Sequence, residues 1–341
     1  MRRHRLALIG LGMAVTPHAK SLLDLQDRVE VAGAYSPTAA RRGAFAARFP
    51  FPPADDLDAI LADTSIDAVA ILTPPNTHLD LVRRAAAAGK HILLEKPLEI
   101  SLDRAEALVA ACREAGVTLG VMLQHRFRPA GRTLAAELAS GTLGRMVGCS
   151  TSIRLWRPQS YYDEPGRGTR ARDGGGVLLT QGIHTLDLML SLAGPVEEVT
   201  GFATTTPVHR METEDLVCAA VRYVNGAIGT IDATTAAYPG FPERITFICE
   251  RATAILAGTE LTIQRQDGET TRIEADSTPG GTGADPMAFP HDYHRALIGD
   301  FLDAIDEGRP AAVDGAAALG VHRLIEALLE TAATGRPVRL R

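Results

Sequence analysis

Apolar positions in the first 125 residues come as short runs separated by segments with helical spacing. Residues 6–9, 29–34, 66–72, 91–94 and 117–123 read as strands, bounded by Gly10, Pro74-Pro75 and Pro97. Between them, 17–26, 38–48, 77–88 and 101–115 read as helices, the last with Ser101 as N-cap, Arg104 at N3 and Gly116 past its end. Strands alternating with helices of this length predict a parallel sheet covered on both faces, the doubly wound Rossmann arrangement.

After residue 125 the rhythm changes. A helix at 129–140 and a strand at 146–156 precede a Gly174-Gly175-Gly176 turn and an apolar helix at 177–192. Strand-like runs at 199–205, 216–224, 227–235, 244–249, 252–256, 261–265 and 270–273 then follow without helices between them, and Asn225-Gly226 signals a hairpin. They predict a large, mostly antiparallel open sheet in a second α/β domain. A loop is expected at 278–283 and helices at 291–306 and 315–334. The expected division is one domain at 1–125 and a second at 126–341.

Length and composition agree with two globular domains: 341 residues, 45% hydrophobic and 22% charged. With 35 basic against 41 acidic residues, the net charge of −6 disfavours nucleic acid or an anionic membrane as partner. No continuous apolar run reaches the ~18–20 residues of a spanning helix. The basic start is followed by an apolar stretch that breaks at Gly10 and Gly12 without a small-residue cleavage site, so a cytoplasmic protein is expected. Cys112, Cys149, Cys218 and Cys249 are too widely spaced for a CxxC metal site or a disulfide framework, which leaves buried free thiols. Arginine supplies nearly all the positive charge, and Lys20, Lys90 and Lys96 are the only lysines.

Gly10-Leu11-Gly12 stands between a strand and a helix, where glycines permit a tight turn and close approach to a pyrophosphate. The third fingerprint position is Val15 rather than Gly or Ala. The second strand ends in Tyr35-Ser36-Pro37-Thr38, with Arg41 and Arg42 one turn on. No carboxylate there would repel a 2′-phosphate, and Ser36, Thr38 and an arginine can bind one, so the choice between NADP and NAD leans to NADP.

Leu72-Thr73-Pro74-Pro75-Asn76-Thr77-His78, Glu95-Lys96-Pro97, Arg167-Gly168-Thr169, the stretch Gly174 to Asp187 and the Asp300 to Ile305 helix, taken with Gly10-Leu11-Gly12, strongly resemble the Gfo/Idh/MocA oxidoreductase family along essentially the whole chain. The resemblance implies a Rossmann domain, a C-terminal sheet whose open face mediates homodimers or homotetramers, and a cleft where a sugar, polyol or related alcohol meets a nicotinamide. It implies Lys96 and His184 as the proton-handling pair and Thr180 as an orienting residue, Thr180 standing where relatives commonly have Asp. Expected cofactor contacts are Gly10, Gly12, Met13, Ala14, Ser36, Thr38, Arg41, Thr73, Pro74, Asn76, His78, Glu95, Lys96, Gln124 and Arg167. Expected substrate contacts are Lys96, Gln124, Trp156, Thr180 and His184, and no metal is expected.

The peptide bond before Pro97 is often cis in the family, which would aim Glu95 and Lys96 toward the cofactor. Asp187, three residues past His184, is a candidate to orient its imidazole. Gly166 replaces the family's frequent tryptophan. Arg154, Arg157, Arg167, Arg170 and Arg172 form either an anion site or a solvated basic loop, and His291 with His294 suggests a helix face rather than a metal pair. The alternatives are a related hydrolase or lyase that recycles tightly bound NAD, and a non-catalytic ligand sensor.

Overall fold

The computed structural model describes residues 2–274 and 290–340, and the loop expected at 278–283 lies outside them. The chain forms two compact units. In the first, β1 (His4–Ile9), β2 (Val29–Tyr35), β3 (Pro53–Ala54), β4 (Ala68–Ile71), β5 (His91–Leu94) and β6 (Leu119–Val121) form a parallel sheet in the order β3-β2-β1-β4-β5-β6. The connecting helices are α1 (Val15–Asp24), α2 (Ala39–Ala46), α3 (Leu57–Ala62), α4 (His78–Ala87) and α5 (Leu102–Glu114). Every residue of β4 is buried, as its unbroken apolar run demands.

β3 and α3 were not expected, since two strand residues carry no readable period. Their signal is Asp56, whose carboxylate caps α3 by accepting from the backbone N–H of Asp58 and Ala59 at 2.8 and 3.1 Å. Ser101 does occupy the N-cap of α5, but its hydroxyl makes no cap bond. Arg104 instead reaches the buried Glu99 carboxylate at 2.8 Å.

The second unit contains α6 (Pro129–Ala139), β7 (Met146–Arg154), two single-turn helices α7 (Gln159–Tyr162) and α8 (Arg170–Asp173), then α9 (Ile183–Ala193). Strands β8 (Val196–Thr204), β9 (Leu216–Tyr223), β10 (Ile228–Thr234), β11 (Arg244–Cys249), β12 (Ala252–Ala257), β13 (Glu260–Arg265) and β14 (Thr270–Ile273) follow. The chain then runs through α10 (Asp292–Glu307) and α11 (Gly315–Thr334) to β15 (Val338–Arg339). The nine-stranded sheet has the order β14-β13-β12-β11-β7-β10-β9-β8-β15, antiparallel except where β7 meets β10. Gly226, at φ +86°, makes the β9–β10 turn, with the Asn225 side chain accepting from the Ala227 N–H at 3.0 Å.

The contiguous split expected at 125/126 needs correction, because residues 290–319 belong to the first unit. Helix α10 packs on α1, and a Cβ on Gly120 of β6 would lie 2.9 Å from the Phe301 ring. The Val121 N–H also donates to the Val313 carbonyl at 2.9 Å.

The helix expected at 177–192 is not uniform. Leu178–Gly182 winds as a π-helical turn before α9 begins. Gly176 is obligatory ahead of it, since a Cβ there would lie 1.7 Å from the Glu214 carbonyl oxygen. The buried Glu214 carboxylate accepts the Gly176 and Leu178 N–H groups and so fixes where the winding starts.

The stretch Arg170–Ala193 is long and apolar enough to cross a membrane by length and hydropathy, against the expectation from apolar runs. However, 67% of its most apolar window is buried within the fold. Cys112, Cys149 and Cys249 are buried as expected, whereas Cys218 is exposed because it falls on an outward position of β9.

Candidate active site

In the first unit, candidate residues gather at the carboxyl edge of the parallel sheet, where open α/β sheets bind ligands. Gly10 has φ +105°, and a Cβ on it would lie 2.8 Å from the Leu72 carbonyl carbon, so only glycine fits between β1 and β4. Gly12 is exposed, and a Cβ there would meet nothing within 4 Å. Ala14 is the N-cap of α1 and offers no side-chain acceptor to the first-turn N–H groups. Two glycines of these kinds and an uncapped helix N-terminus fit a dinucleotide pyrophosphate. Val15 is buried in helix packing at the departed third position. Met13 is exposed beside the turn.

At the end of β2, Ser36 is buried and Thr38 and Arg41 are exposed, while Arg42 donates to the Ser36 carbonyl at 2.6 Å. After β4, the Thr73 and Thr77 hydroxyls pair at 2.7 Å, and Pro74 and Asn76 are exposed. The Gln124 carboxamide oxygen, past β6, is buried with no hydrogen-bond partner among the described residues. That orphan suits a polar ligand group arriving at this edge.

Lys96 follows β5 and is half-buried, and the Lys96–Pro97 peptide bond is cis. The Glu95 carboxylate is held by two donors of the same unit. Its Oε1 accepts from His18 Nε2 at 2.6 Å and its Oε2 from the Lys96 backbone N–H at 3.1 Å. Burial alone would raise this carboxyl, but the His18 bond and nearby positive charge outweigh it and hold it below the usual range. His78 likewise has both ring nitrogens against backbone carbonyls. It is fully buried, with Nε2 2.9 Å from the Thr73 carbonyl oxygen and Nδ1 3.1 Å from those of Pro97 and Leu98, and burial pushes its pKa down. It ties the loop after β4 to the Lys96 segment. Sequence reasoning missed His18 altogether. Lys90 has a structural role, its buried ammonium donating to the Asp63 and Ile66 carbonyls at 2.6 and 2.9 Å.

In the second unit, His184 is half-buried on the first turn of α9, its ring stacked on His125 at 4.9 Å. Both Asp187 carboxylate oxygens accept from Arg126, Nε at 2.7 Å and Nη2 at 2.5 Å. Burial raises the Asp187 carboxyl, against the pull of that guanidinium. Thr180 sits on the π-helical turn, its hydroxyl donating to the Gly176 carbonyl at 2.7 Å beside the Gln181 side chain.

Arg167 lies over the Tyr161 ring at 4.4 Å, donates to its hydroxyl at 2.8 Å and pairs with Glu164 at 2.9 Å. Trp156 is half-buried, edge-on to Tyr238 at 5.5 Å. Gly166 has φ +80°, and the space of a side chain there is filled by the Arg172 stem, 2.8 Å from a built Cβ. Of the five crowded arginines, Arg154, Arg167, Arg170 and Arg172 already face the carboxylates of Asp232, Glu164, Glu212 and Asp173.

The sequence compares with known proteins in the same sense. Residues 4–123 match the model of the Gfo/Idh/MocA oxidoreductase family, NAD-binding Rossmann fold, and residues 132–255 match the family's C-terminal domain. D-xylose 1-dehydrogenase (NADP(+)) 2 of Haloferax volcanii is 29% identical, over 91% of this chain and 92% of the relative. The scyllo-inositol 2-dehydrogenase (NAD(+)) of Bacillus subtilis is also 29% identical, over 67% of each chain. The crystal structure of the WlbA dehydrogenase from Bordetella pertussis in complex with NADH and UDP-GlcNAcA superposes with TM-score 0.85 at 27% identity, covering 100% of this chain and 99% of that one. The parallel six-stranded sheet, the glycine turn at its carboxyl edge and both family matches lead to one conclusion: the chain belongs to the Gfo/Idh/MocA family of oxidoreductases.

Proposed function

We propose that this chain is an NAD(P)-dependent dehydrogenase or reductase that interconverts a hydroxyl and a carbonyl group on a sugar, polyol or related compound. The observation that carries this reading is the half-buried Lys96 at the end of β5, on the same sheet edge as the Gly10–Gly12 turn after β1, with β4 between. Gly10, Gly12, Met13 and Ala14 would hold the dinucleotide at the N-terminus of α1, and Gln124 would meet a polar group of cofactor or substrate. When bound, the nicotinamide supplies or accepts the hydride.

The chain's own task is positioning and proton transfer. In oxidation, Lys96 hydrogen-bonds the reacting hydroxyl and shares with His184 in taking its proton, and the roles reverse in reduction. Thr180 orients the substrate from the π-helical turn. The half exposure of His184 favours a proton-transfer role over a purely structural core histidine.

NADP is the proposed cofactor, because no carboxylate ends β2 and Arg41 is exposed in the first turn of α2. The relatives include an NADP(+) and an NAD(+) enzyme, so the residues after β2 carry this choice. We also infer self-association through the open face of the large sheet. Ile228, Gly148 and Ile248 lie side by side in register there, and Phe202, paired with Cys218, is 81% exposed on the same face.

The test is a panel of pentoses, inositols, anhydrosugars and uronates, each with NAD and NADP, following the absorbance of the reduced nicotinamide. Turnover with a neutral or acidic sugar and preference for NADP are expected. Product formed without net change in the nicotinamide would transfer the assignment to a hydrolase or lyase, and binding without turnover would make the chain a sensor.

A further inference from the structure

The first unit buries a cluster that the proposed chemistry leaves unused. His18, on the second turn of α1, Glu95, at the end of β5, and His294, on α10, bring their ligating atoms within 4.8 Å of one another. The group resembles a metal site, but the 2.6 Å between His18 Nε2 and Glu95 Oε1 is a direct hydrogen bond. Ligands sharing a zinc ion, each ~2.0–2.2 Å from the metal, stand roughly 3 Å or more apart.

We propose instead that His18 is a positioning residue for Lys96, acting through the Glu95 carboxylate and joining the helix of the dinucleotide turn to the proton-handling lysine. Glu95 is the residue before Lys96, and one of its carboxylate oxygens already accepts the Lys96 backbone N–H. The other oxygen is buried and needs a donor from elsewhere in the fold. His18 is that donor, 77 residues away in sequence. The imidazole is itself held. The His294 ring packs edge-on against it at 5.3 Å, and the Ser21 hydroxyl, three residues on, donates to the Pro17 carbonyl at 2.8 Å with the His291 carbonyl 3.1 Å away. On the far side of Lys96, His78 fixes the Pro97 and Leu98 carbonyls. Lys96 is thus clamped from both neighbours, and the His18 clamp belongs to the helix whose N-terminus is the proposed pyrophosphate site. Among the described residues, the titratable groups that face the His18–Glu95 pair and its neighbour His294 are Lys96 and His291.

The proposal rests on the reading of Lys96 given above, but its test needs no substrate. With three lysines in the chain, acetic anhydride labelling read by mass spectrometry reports Lys96 directly, with the exposed Lys20 as internal reference. His18→Ala leaves the carboxylate without its outside donor, so it turns to the Lys96 ammonium. The labelling midpoint of Lys96 is then expected to rise by about one pH unit, a tenfold loss of reactive amine at fixed pH. His18→Gln, which keeps an N–H donor, restores the wild-type midpoint. Glu95→Gln, which removes the negative charge, lowers it. NADPH binding, followed by fluorescence, survives in His18→Gln.

An unchanged Lys96 midpoint in His18→Ala overturns the proposal, as does failure of His18→Gln to restore it. If His18→Ala does not fold, an unchanged midpoint in Glu95→Gln overturns it equally. The reading of Lys96 as proton carrier fails separately, through normal turnover in Lys96→Ala, which the labelling does not depend on.

Discussion

Arg126 closes its guanidinium fork on Asp187, Nε at 2.7 Å and Nη2 at 2.5 Å, with the carboxylate side chain fully buried. This pair fixes α9 and, with it, the helix turn that carries His184. Removing one partner strands a buried charge, so Arg126→Met is expected to cost about 3–5 kcal/mol in urea unfolding. Burial already raises the Asp187 carboxyl, and loss of the arginine raises it further. A carboxyl raised above its unfolded value binds protons preferentially in the folded state. The deficit in Arg126→Met therefore shrinks as pH falls toward the unfolded carboxyl range near ~4. A deficit that grows on acidification would contradict the pairing.

The two glycines of the cofactor turn make opposite predictions. Gly10→Ala forces φ +105° on an L-residue and drives a Cβ to 2.8 Å from Leu72 backbone atoms. The φ term alone costs about 1–2 kcal/mol, so the melting temperature falls. Gly12→Ala meets no neighbour within 4 Å and leaves folding near normal. It blocks a backbone approach instead, and losing one charge-assisted hydrogen bond costs about 1.5–3 kcal/mol, roughly 10- to 100-fold in NADPH affinity. Melting curves and fluorescence titration distinguish the two effects.

Acid sensitivity follows from buried imidazoles. Burial and the neighbouring His18 push His294 down to about 3, and burial lowers His78 as well. His294 stays neutral in the folded state down to about pH 3 but protonates near ~6.5 when unfolded. The unfolded chain thus binds more protons below that pH, and stability is lost as pH falls from ~6.5 toward 3. Glu95, held below its ordinary range, adds a further loss below ~4.5. His294→Phe, which keeps a ring against His18, is expected to flatten the stability profile between pH 6.5 and 4.5 by roughly 2–3 kcal/mol. An unchanged slope would show that the imidazole does not titrate as its burial requires.

Local features of this fold were legible in the sequence, and features made by distant packing were not. β5, β11 and β14 fall where their apolar or alternating runs place them, and the Gly10 and Gly226 turns carry the positive φ that their context demands. The two-residue β3 is too short to show a period. The π-helical turn before α9 follows from the Glu214 contact with Gly176, 38 residues away, which no helical periodicity contains. The return of α10 to the first unit depends on Phe301 filling the space above Gly120, a contact between segments 181 residues apart. Motif matching singled out Glu95 and His78, but it does not contain their packing partners, His18 and the Thr73, Pro97 and Leu98 carbonyls. The sequence identified Lys96 and His184 only through resemblance, and the structure adds that both are half-buried rather than sealed in a core.

The central claim is that Lys96 carries proton transfer for a nicotinamide-dependent reaction. The direct measurement is steady-state turnover of Lys96→Ala beside NADPH binding by the same protein, using the best sugar of the panel. Loss of general acid–base help predicts a fall in kcat of about 10²- to 10⁴-fold with the cofactor still bound. Turnover close to wild type in that variant would contradict the account.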